Sequence, residues 1–165
     1  MIRLPHRAVT LERLTASHAD AVLAFELENR EYFAASVDDR GDAYFTEFAA
    51  RLAALLAEQE AGICQFHVLV DDAGAVVGRV NLVDFENGSA ELGYRIAEKA
   101  AGKGLASAAV RAIAGLAASE YGLTTLRAGT SSENVASQVV LTRAGFRRVS
   151  EEGAAPAYEL KLEDA

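Results

Sequence analysis

The feature that most constrains this 165-residue chain is a strand-like segment that runs through a loop with two glycines directly into an apolar helical pattern. The loop is Ala101-Gly102-Lys103-Gly104-Leu105-Ala106, and the helix extends to about Ser119. Glycine tolerates positive φ and has no Cβ, so successive backbone N–H groups can converge on an anion. The first N–H groups of the helix extend such a site, and Lys103 adds a positive charge. The segment predicts a phosphate-binding turn.

The patterns on either side of this loop predict a mixed α/β chain. Asn87-Gly88 is a strong β-hairpin signal and makes 64–96 a predicted three-stranded antiparallel meander. Asp42 is expected to cap a long second helix, after a first one that begins near residue 17. The segment 90–130 is long enough for a crossover between parallel strands. Strands are predicted at 9–14, 64–70, 75–83, 90–96, 123–130, 146–150 and 158–162, and a further helix at 134–143.

This order predicts helices packed on a mostly antiparallel sheet, in one domain over residues 1–165. The net charge of −8 argues against a general nucleic-acid binder, because phosphate backbones are bound by Lys/Arg surfaces. The same charge serves solubility or favours cationic substrates such as amines. Residues 1–7 lack the continuous apolar region of a signal peptide, and no window approaches the roughly 20 apolar residues that span a bilayer. Cys64, the only cysteine, suits the reducing cytoplasm, where we expect the protein.

The glycine loop fits two known phosphate-binding patterns only in part. A Walker loop has Ser or Thr after its lysine, whereas Gly104 follows Lys103 here. The dinucleotide fingerprint Gly-x-Gly-x-x-Gly matches at Gly102 and Gly104 but has Ser107 at its third position. A turn that only begins a helix, with no ligand, is the remaining interpretation of the loop alone. The three histidines have no cysteine or carboxylate at ligand spacing, so no metal site is predicted.

The loop also resembles the pyrophosphate loop of the GNAT superfamily of acetyl-coenzyme A-dependent N-acetyltransferases, which reads Gln/Arg-x-x-Gly-x-Gly/Ala. Gly104 and Ala106 match this pattern. Ala101 stands where the family has Gln or Arg. This departure removes a side chain but leaves the backbone amides, so we expect weaker phosphate contact rather than none.

Two further segments, in the expected order, strengthen the resemblance. Asn134 and Ser137, followed by Gly145-Phe146, are similar to the family's Asn-x-x-Ser helix that ends in Gly-Phe. Glu91-Leu92-Gly93-Tyr94 resembles the strand before the loop in the branch that includes ribosomal-protein N-terminal acetyltransferases. The element order from Val9 to Leu162 agrees with the family.

The resemblance implies a mixed, mostly antiparallel central sheet flanked by helices, with pantetheine inserted at a splay between the fourth and fifth strands. The splayed edge would be 94–97, and the backbone N–H near Ile96 would polarise the thioester carbonyl. The residues expected to bind acetyl-coenzyme A are Ile96, Ala97, Ala101, Gly102, Lys103, Gly104, Leu105, Ala106, Ser107, Asn134 and Ser137.

Acetyl transfer to an amine also requires a route for two protons. Ser137 is the candidate donor to the thiolate, and Asn134 is a candidate partner for pantetheine that also suits a helix N-cap. Glu91 is the candidate base, with a solvated or salt-bridged strand residue as its alternative. Tyr94 is predicted to be a packing residue, with a polar tip near the cofactor as the alternative interpretation.

We therefore expect an enzyme that moves an acetyl group from acetyl-coenzyme A to a primary amine, such as a protein or peptide N-terminus. The alternatives are a small-molecule amine or antibiotic acetyltransferase and a non-catalytic acyl-coenzyme A-binding module. The acceptor is expected across the sheet from coenzyme A, beside the connection 29–42. No nucleic-acid, membrane or metal partner is expected, and the family resemblance suggests a homodimer.

Overall fold

Eight strands of the computed structural model, which describes residues 1–5 and 7–162, form one sheet. In chain order they are β1 (Ile2–Arg3), β2 (Val9–Arg13), β3 (Gln65–Asp71), β4 (Val76–Glu86), β5 (Ser89–Ile96), β6 (Thr125–Gly129), β7 (Arg147–Arg148) and β8 (Ala157–Lys161). Across the sheet the order is β1-β2-β3-β4-β5-β6-β8-β7. Every neighbouring pair is antiparallel except β5 and β6, which are parallel. The predicted mixed, mostly antiparallel sheet is confirmed.

Helices cover both faces of this sheet. They are α1 (Ala19–Glu28), α2 (Arg30–Ala34), α3 (Asp42–Thr46), α4 (Phe48–Glu60), α5 (Leu105–Ser119) and α6 (Val135–Arg143). One core contains Val80, Leu82 and Ile113 and lies between the sheet and α5. A second core contains Phe25 and Leu52 and lies between the sheet and the helices α1 and α4. Because side chains alternate along a strand, neighbouring residues of β4 and β5 face different cores.

The hairpin between β4 and β5 has the geometry that its sequence predicts. Asn87 has φ 49° and Gly88 has φ 77°, and Glu86 pairs with Ser89 across the turn. Two consecutive positive φ values define a type I′ turn, whose twist matches that of the flanking strands. The turn and a bulge between Val83 and Glu86, where Asp84 has φ 52°, together set the register of β5, so that Arg79 lies opposite Arg95 and Asn81 opposite Gly93.

Three sequence predictions need correction. Gly41, with φ 85°, is the N-cap of α3 in place of Asp42, and a break at Glu47 divides the predicted long helix into α3 and α4. The strand predicted at 146–150 has only two residues, β7. The two short elements β1 and α2 were not predicted, because two and five residues give little periodicity. His6, counted among the histidines without metal-ligand spacing, lies outside the described residues.

Candidate functional site

A gap opens in the sheet between β5 and β6. The two strands pair over Ser89–Glu91 of β5 and Thr125–Arg127 of β6, and within the described residues the pairing goes no further, whereas β5 stays paired with β4 up to Ile96. Because β1 precedes the predicted first strand, β5 and β6 are the predicted fourth and fifth strands. The splay therefore lies where the resemblance implied.

The backbone of β5 directs hydrogen-bonding groups into this gap. The N–H of Ala97 donates to the carbonyl of Val77 at 2.9 Å, next to the residue pair Gly78–Ile96. Since bonded and non-bonded pairs alternate in an antiparallel ladder, the N–H and C=O groups of Tyr94 and Ile96 point away from β4, toward β6. An extended group in the gap can hydrogen-bond to these atoms as an additional strand would.

The glycine loop continues directly from this edge. A short 3₁₀ turn over Glu98–Ala100 leads to Ala101, and Gly102 and Gly104 have φ values of 73° and 77°. Gly104 is the left-handed N-cap of α5 and provides no side-chain cap. The first backbone N–H groups of the helix, at 105–107, therefore have no partner within the helix itself. Together with the positive end of the helix dipole they form a cradle suited to a phosphate group.

Some side chains at the start of α5 are buried and anchor the helix, and others face solvent. Leu105 and Ser107 are buried and fix the first turn against the core, while Ala106 is half-buried. The Lys103 side chain is exposed, and its Nζ lies 3.3 Å from the carbonyl oxygen of Lys99, to which it donates. The loop thus presents its main chain, with the exposed ammonium group of Lys103 beside it.

Arg7 is a residue at the loop that sequence reasoning missed. Its Nη2 donates to the carbonyl oxygen of Lys103 at 3.1 Å, and its Nη1 donates to that of Pro5 at the same distance. A Cβ built on Gly104 would lie 2.7 Å from Nη2. The segment before β2 therefore places a guanidinium against the glycine loop, which lacks a cationic side chain at Ala101. No local signal in the sequence links residues 96 positions apart.

Tyr94 and Ser137 meet on the α5 side of the gap. The Tyr94 hydroxyl donates to Ser137 Oγ at 3.3 Å, and Asn134 Oδ1 accepts from the backbone N–H of Ser137 at 3.1 Å. Asn134 is thus the N-cap of α6, as one of its two sequence interpretations requires. Burial raises the pKa of Tyr94 above its usual value, against a smaller opposing effect of the bond to Ser137, so the phenol keeps its proton at neutral pH.

Glu91 lies on the opposite face of β5 from Tyr94. Its Oε2 is 3.9 Å from Arg127 Nη1 on β6, and the two side chains are 44% and 37% exposed. A pair this open to water is weak, so Glu91 remains accessible to solvent and to a neighbouring amine. The structure therefore places the two candidate catalytic residues, Glu91 and Ser137, on opposite faces of the sheet with the gap between them.

A buried ion cluster lies on the same face as Glu91. Glu26 of α1, 1% exposed, is surrounded by the guanidinium groups of Arg40, Arg79 and Arg95. Arg40 and Arg79 approach its carboxylate to 2.8 Å, and Arg95 to 3.5 Å. Burial and the neighbouring Arg40 and Arg79 lower the pKa of Arg95, an effect that Glu26 only partly offsets. No local pattern in the sequence indicates this cluster, since its members lie far apart in the chain.

His67 is an interior residue of β3, 1% exposed. Its Nδ1 lies 3.3 Å from the carbonyl oxygen of Val80, and its Nε2 lies 2.6 Å from the Tyr121 hydroxyl. Burial lowers the pKa of His67 to about 4, so the ring is neutral at pH 7. Tyr121, just beyond α5, thus supplies a hydrogen-bonding partner for the ring. The ring faces the core side of β3 and takes no part in the site at the gap.

Two further properties concern only residues 1–5 and 7–162. Within these ranges, no group of three or more His, Cys, Asp or Glu side chains is arranged to hold a metal ion. None of the helices described there combines the length and apolar character needed to cross a membrane.

The sequence matches the family model described as "Acetyltransferase (GNAT) domain" over residues 8–147. It is 32% identical over 97 residues to "Uncharacterized N-acetyltransferase p20" of Bacillus licheniformis. That alignment covers 58% of this chain and 53% of the relative, so the chain spans about half the length of that relative.

Solved structures share the fold at low sequence identity. The ribosomal-protein-S5-alanine acetyltransferase from Vibrio fischeri superposes with a TM-score of 0.88 at 18% identity, over 99% of this chain and 98% of that one. Mycobacterium smegmatis RimJ in complex with CoA-disulfide gives 0.85 at 23% identity, over 99% and 86%. Spermidine N-acetyltransferase from Vibrio cholerae, in complex with CoA and spermine, gives 0.76 at 16% identity, over 94% and 96%. Identities this low show the fold alone. Since the family model covers most of the sequence, the chain belongs to the GNAT acetyltransferase family.

Proposed function

We propose that this protein transfers an acetyl group from acetyl-coenzyme A to a primary amine, and that residues 1–165 form one acetyltransferase domain. The observation that carries the proposal is the continuity of the gap and the loop. The exposed backbone edge at 94–97 leads without interruption into the glycine turn and the N-terminus of α5. An extended chain that ends in a diphosphate matches such a surface along its length.

The residues present fit acetyl-coenzyme A in chemical character. The amides of Gly102, Gly104 and the first turn of α5 would hold the pyrophosphate, with positive charge from Lys103 and Arg7. The edge of β5 at Tyr94 and Ile96 would pair with pantetheine. A glycine at 104 is required there, because its φ of 77° strains any side chain and a Cβ would displace Arg7.

The chemistry needs a group that stabilises negative charge on the thioester oxygen. When bound, the thioester supplies an activated acyl carbon. The backbone N–H of Ile96 would donate to its carbonyl oxygen as the amine attacks, because this N–H points into the gap. A donor fixed in a strand needs no reorganisation during the reaction, so the hydrogen bond strengthens as negative charge develops.

Two side chains would provide the proton for the departing thiolate. Tyr94 donates to Ser137 Oγ, which leaves the proton of Ser137 free to point at a sulfur in the gap. Ser137 would give that proton to the thiolate and regain one from Tyr94, which would in turn be reprotonated from solvent. Because burial keeps the phenol protonated, the pair is ready to donate throughout the neutral pH range.

Glu91 would accept the proton of the amine on the other face of β5, directly or through water. An α-amino group has a pKa of roughly 7.7–8.0, so a modest base suffices for an N-terminal amine. The relatively exposed position of Glu91 beside Arg127 is compatible with a water between base and amine. A lysine side chain, with a pKa of about 10.4, would demand far more of the base.

The experiment that tests this function is a thiol-release assay with acetyl-coenzyme A over a panel of peptides and small amines, with mass spectrometry of the products. Acetylation of the amine together with stoichiometric thiol supports the proposal. Binding of acetyl-coenzyme A without thiol release across the whole panel would instead identify a non-catalytic acyl-coenzyme A-binding module. The panel also separates peptide N-termini from small amines.

A further inference from the structure

We propose that the amine acceptor carries a carboxylate within a few bonds of its amine, and that Arg95 and Arg40 bind this carboxylate. The inference rests on the proposed acetyltransferase function and names the class of acceptor. It follows from an excess of positive charge on the acceptor face of the splayed strand.

The ion cluster around Glu26 is not neutral. One carboxylate meets three guanidinium groups, so the four side chains carry two uncompensated positive charges. Glu26 and Arg79 are 1% and 5% exposed at their side chains, whereas Arg95 and Arg40 are 26% and 28% exposed. Positive charge held away from water is costly unless an anion accompanies it. The open side of the cluster is therefore suited to a second carboxylate.

Arg95 has hydrogen-bonding capacity to spare. A guanidinium has five N–H donors. Arg95 Nη1 lies 3.5 Å from Glu26 Oε1, and among the described residues Arg95 forms no side-chain hydrogen bond. Arg79, by contrast, donates to both Glu26 and the Tyr44 hydroxyl, so its role is in the fold. Arg95 is therefore a partly buried cation with N–H donors that are available to a ligand.

Aromatic rings hold the two available guanidinium groups in place. Arg95 lies 5.0 Å from the centroid of the Phe33 ring, and Arg40 lies 4.6 Å from that of Tyr44. Contacts of this kind restrict the side chain without consuming its N–H donors. The two groups thus line one small cleft with their donors preorganised for a planar carboxylate.

The cleft adjoins the proposed reaction centre. Arg95 and Gly93 lie on the same face of β5, about 7 Å apart along the strand. Gly93 is exposed, and apart from its own residue and its two chain neighbours no atom lies within 4 Å of the position where its Cβ would stand. An acceptor can therefore rest its amine above Gly93 while its carboxylate reaches Arg95.

A buried oxygen atom of Asn81, the residue opposite Gly93, has no hydrogen-bond donor among the described residues. Asn81 pairs with Gly93 across β4 and β5, and its Oδ1 is buried without a hydrogen-bond partner among the described residues. Alternation along β4 places Asn81 on the same face as Arg79, toward the acceptor cleft. An amide oxygen in this position is suited to accept a hydrogen bond from the amine of the acceptor. The cleft then offers an acceptor for the amine and donors for the carboxylate.

Two acidic residues at the rim do not neutralise the cluster. Asp39 accepts from Arg30 at 2.8 and 3.0 Å and from the backbone N–H of Gly41, so its charge is committed within the α2–α3 connection. Asp38 is exposed to solvent. Water screens its charge more than the partly buried charges of Arg40 and Arg95.

The test compares acceptors that are matched except for the carboxylate, with kcat/KM expressed per unprotonated amine, because a carboxylate close to an amine raises the pKa of that amine. Alanine is assayed against alaninamide, and the peptide amide Ala-Asp-Gly-Gly against Ala-Asn-Gly-Gly. In at least one pair, we expect kcat/KM for the carboxylate acceptor to exceed that for its carboxamide by about tenfold or more. The carboxamide loses a charged hydrogen bond, and a loss of that kind has an effect of this size. The first pair probes a free amino acid and the second an acidic side chain near a peptide N-terminus, so the favoured pair identifies the source of the carboxylate.

Two variants connect that preference to the cluster. Arg40→Gln and Arg95→Gln should each bring the carboxylate-to-carboxamide ratio of kcat/KM close to one, with the KM for acetyl-coenzyme A unchanged. Arg51→Gln is the matched control, because Arg51 also lies over Tyr44, at 5.8 Å, but stands outside the Glu26 cluster. Circular dichroism identifies any variant that fails to fold. If one of the two does not fold, the ratio measured with the other variant tests the site.

The possible outcomes separate this inference from the proposed function. Equal kcat/KM for both members of both pairs, or a carboxylate preference that survives in both arginine variants, would overturn the carboxylate site and leave acetyl transfer intact. Absence of thiol release from these acceptors and from the whole amine panel would contradict acetyl transfer itself, and this inference with it.

Discussion

The hydroxyl of Tyr94 on β5 donates to Ser137 Oγ on α6 at 3.3 Å, across the side of the gap that faces α5. This contact joins the strand that borders the splay to the first turn of the helix capped by Asn134. The family resemblance pointed to Ser137 alone as a proton donor. The structure adds a partly buried phenol behind it, which can return a proton to Ser137 after each transfer.

Removing the Ser137 hydroxyl should therefore reduce chemistry more than binding. For Ser137→Ala we expect kcat to fall about 10²-fold or more, with a small change in the Kd of acetyl-coenzyme A. Steady-state thiol release and calorimetry measure the two quantities. An unchanged kcat would remove Ser137 from the proton route.

Tyr94→Phe separates the donor from the residue that supplies it. If Tyr94 only returns protons to Ser137, this variant should lose less kcat than Ser137→Ala. The double variant should then lose no more than Ser137→Ala alone, because residues that act as a unit are not additive. Fully additive losses would show that the two hydroxyls act independently.

The glycine turn gives a prediction about binding. A side chain at Gly104 would adopt an unfavourable φ of 77° and displace Arg7, and a glutamate would add negative charge to the phosphate cradle. Gly104→Glu should abolish measurable binding of coenzyme A in calorimetry. Gly74→Glu, in the β3–β4 turn with φ 86° and open space around it, controls for backbone strain. Equal affinity in both variants, with the fold intact, would contradict the assigned loop.

Arg7 provides a test of how the loop compensates for Ala101. Arg7→Gln should weaken coenzyme A binding about tenfold, since one charged contact to a phosphate is lost. The difference in Kd between the parent and Arg7→Gln should shrink at high salt, because salt screens the contribution that Arg7 makes in the parent protein. Restoring the usual family residue with Ala101→Arg in the Arg7→Gln background should recover affinity. If Arg7→Gln binds coenzyme A normally, Arg7 serves only to fasten the N-terminal segment.

Local signals account for what the sequence predicted. Asn87-Gly88 predicts a hairpin, Asn134 predicts a helix N-cap, and Gly104 favours a positive φ at the start of α5. Each of these features depends only on the residue's own φ or on a hydrogen bond to a nearby residue. The contacts that complete the site join residues far apart in sequence. Arg7 donates to the carbonyl oxygen of Lys103, which lies 96 positions away in the sequence. Glu26 forms ion pairs with three arginines, one from a loop and two from strands. Such contacts depend on strand order and register, which periodicity does not determine.

Glu26 should be required for folding rather than for chemistry. In Glu26→Gln, three guanidinium groups face one another without a counter-ion, and the loss of one partner of a buried ion pair costs about 3–5 kcal/mol. We expect a fall of this size in the free energy of unfolding from urea denaturation. Glu47→Gln, which removes an exposed pair with Arg51, should change it by less than about 1 kcal/mol. A Glu26→Gln variant as stable as the parent would mean that the cluster contributes nothing to the fold.

His67 predicts how stability depends on pH. Its folded pKa of about 4 lies below the ordinary value of 6.5, so the unfolded chain binds a proton more readily. The contribution of the neutral ring is fully present above pH 6.5 and is lost as pH falls toward 4, by up to about 3 kcal/mol. His67→Gln should flatten the pH dependence of the free energy of unfolding between pH 6.5 and 4. Because the carboxylates titrate equally in both proteins, the difference between the two curves isolates His67, and parallel curves would show that burial does not depress its pKa.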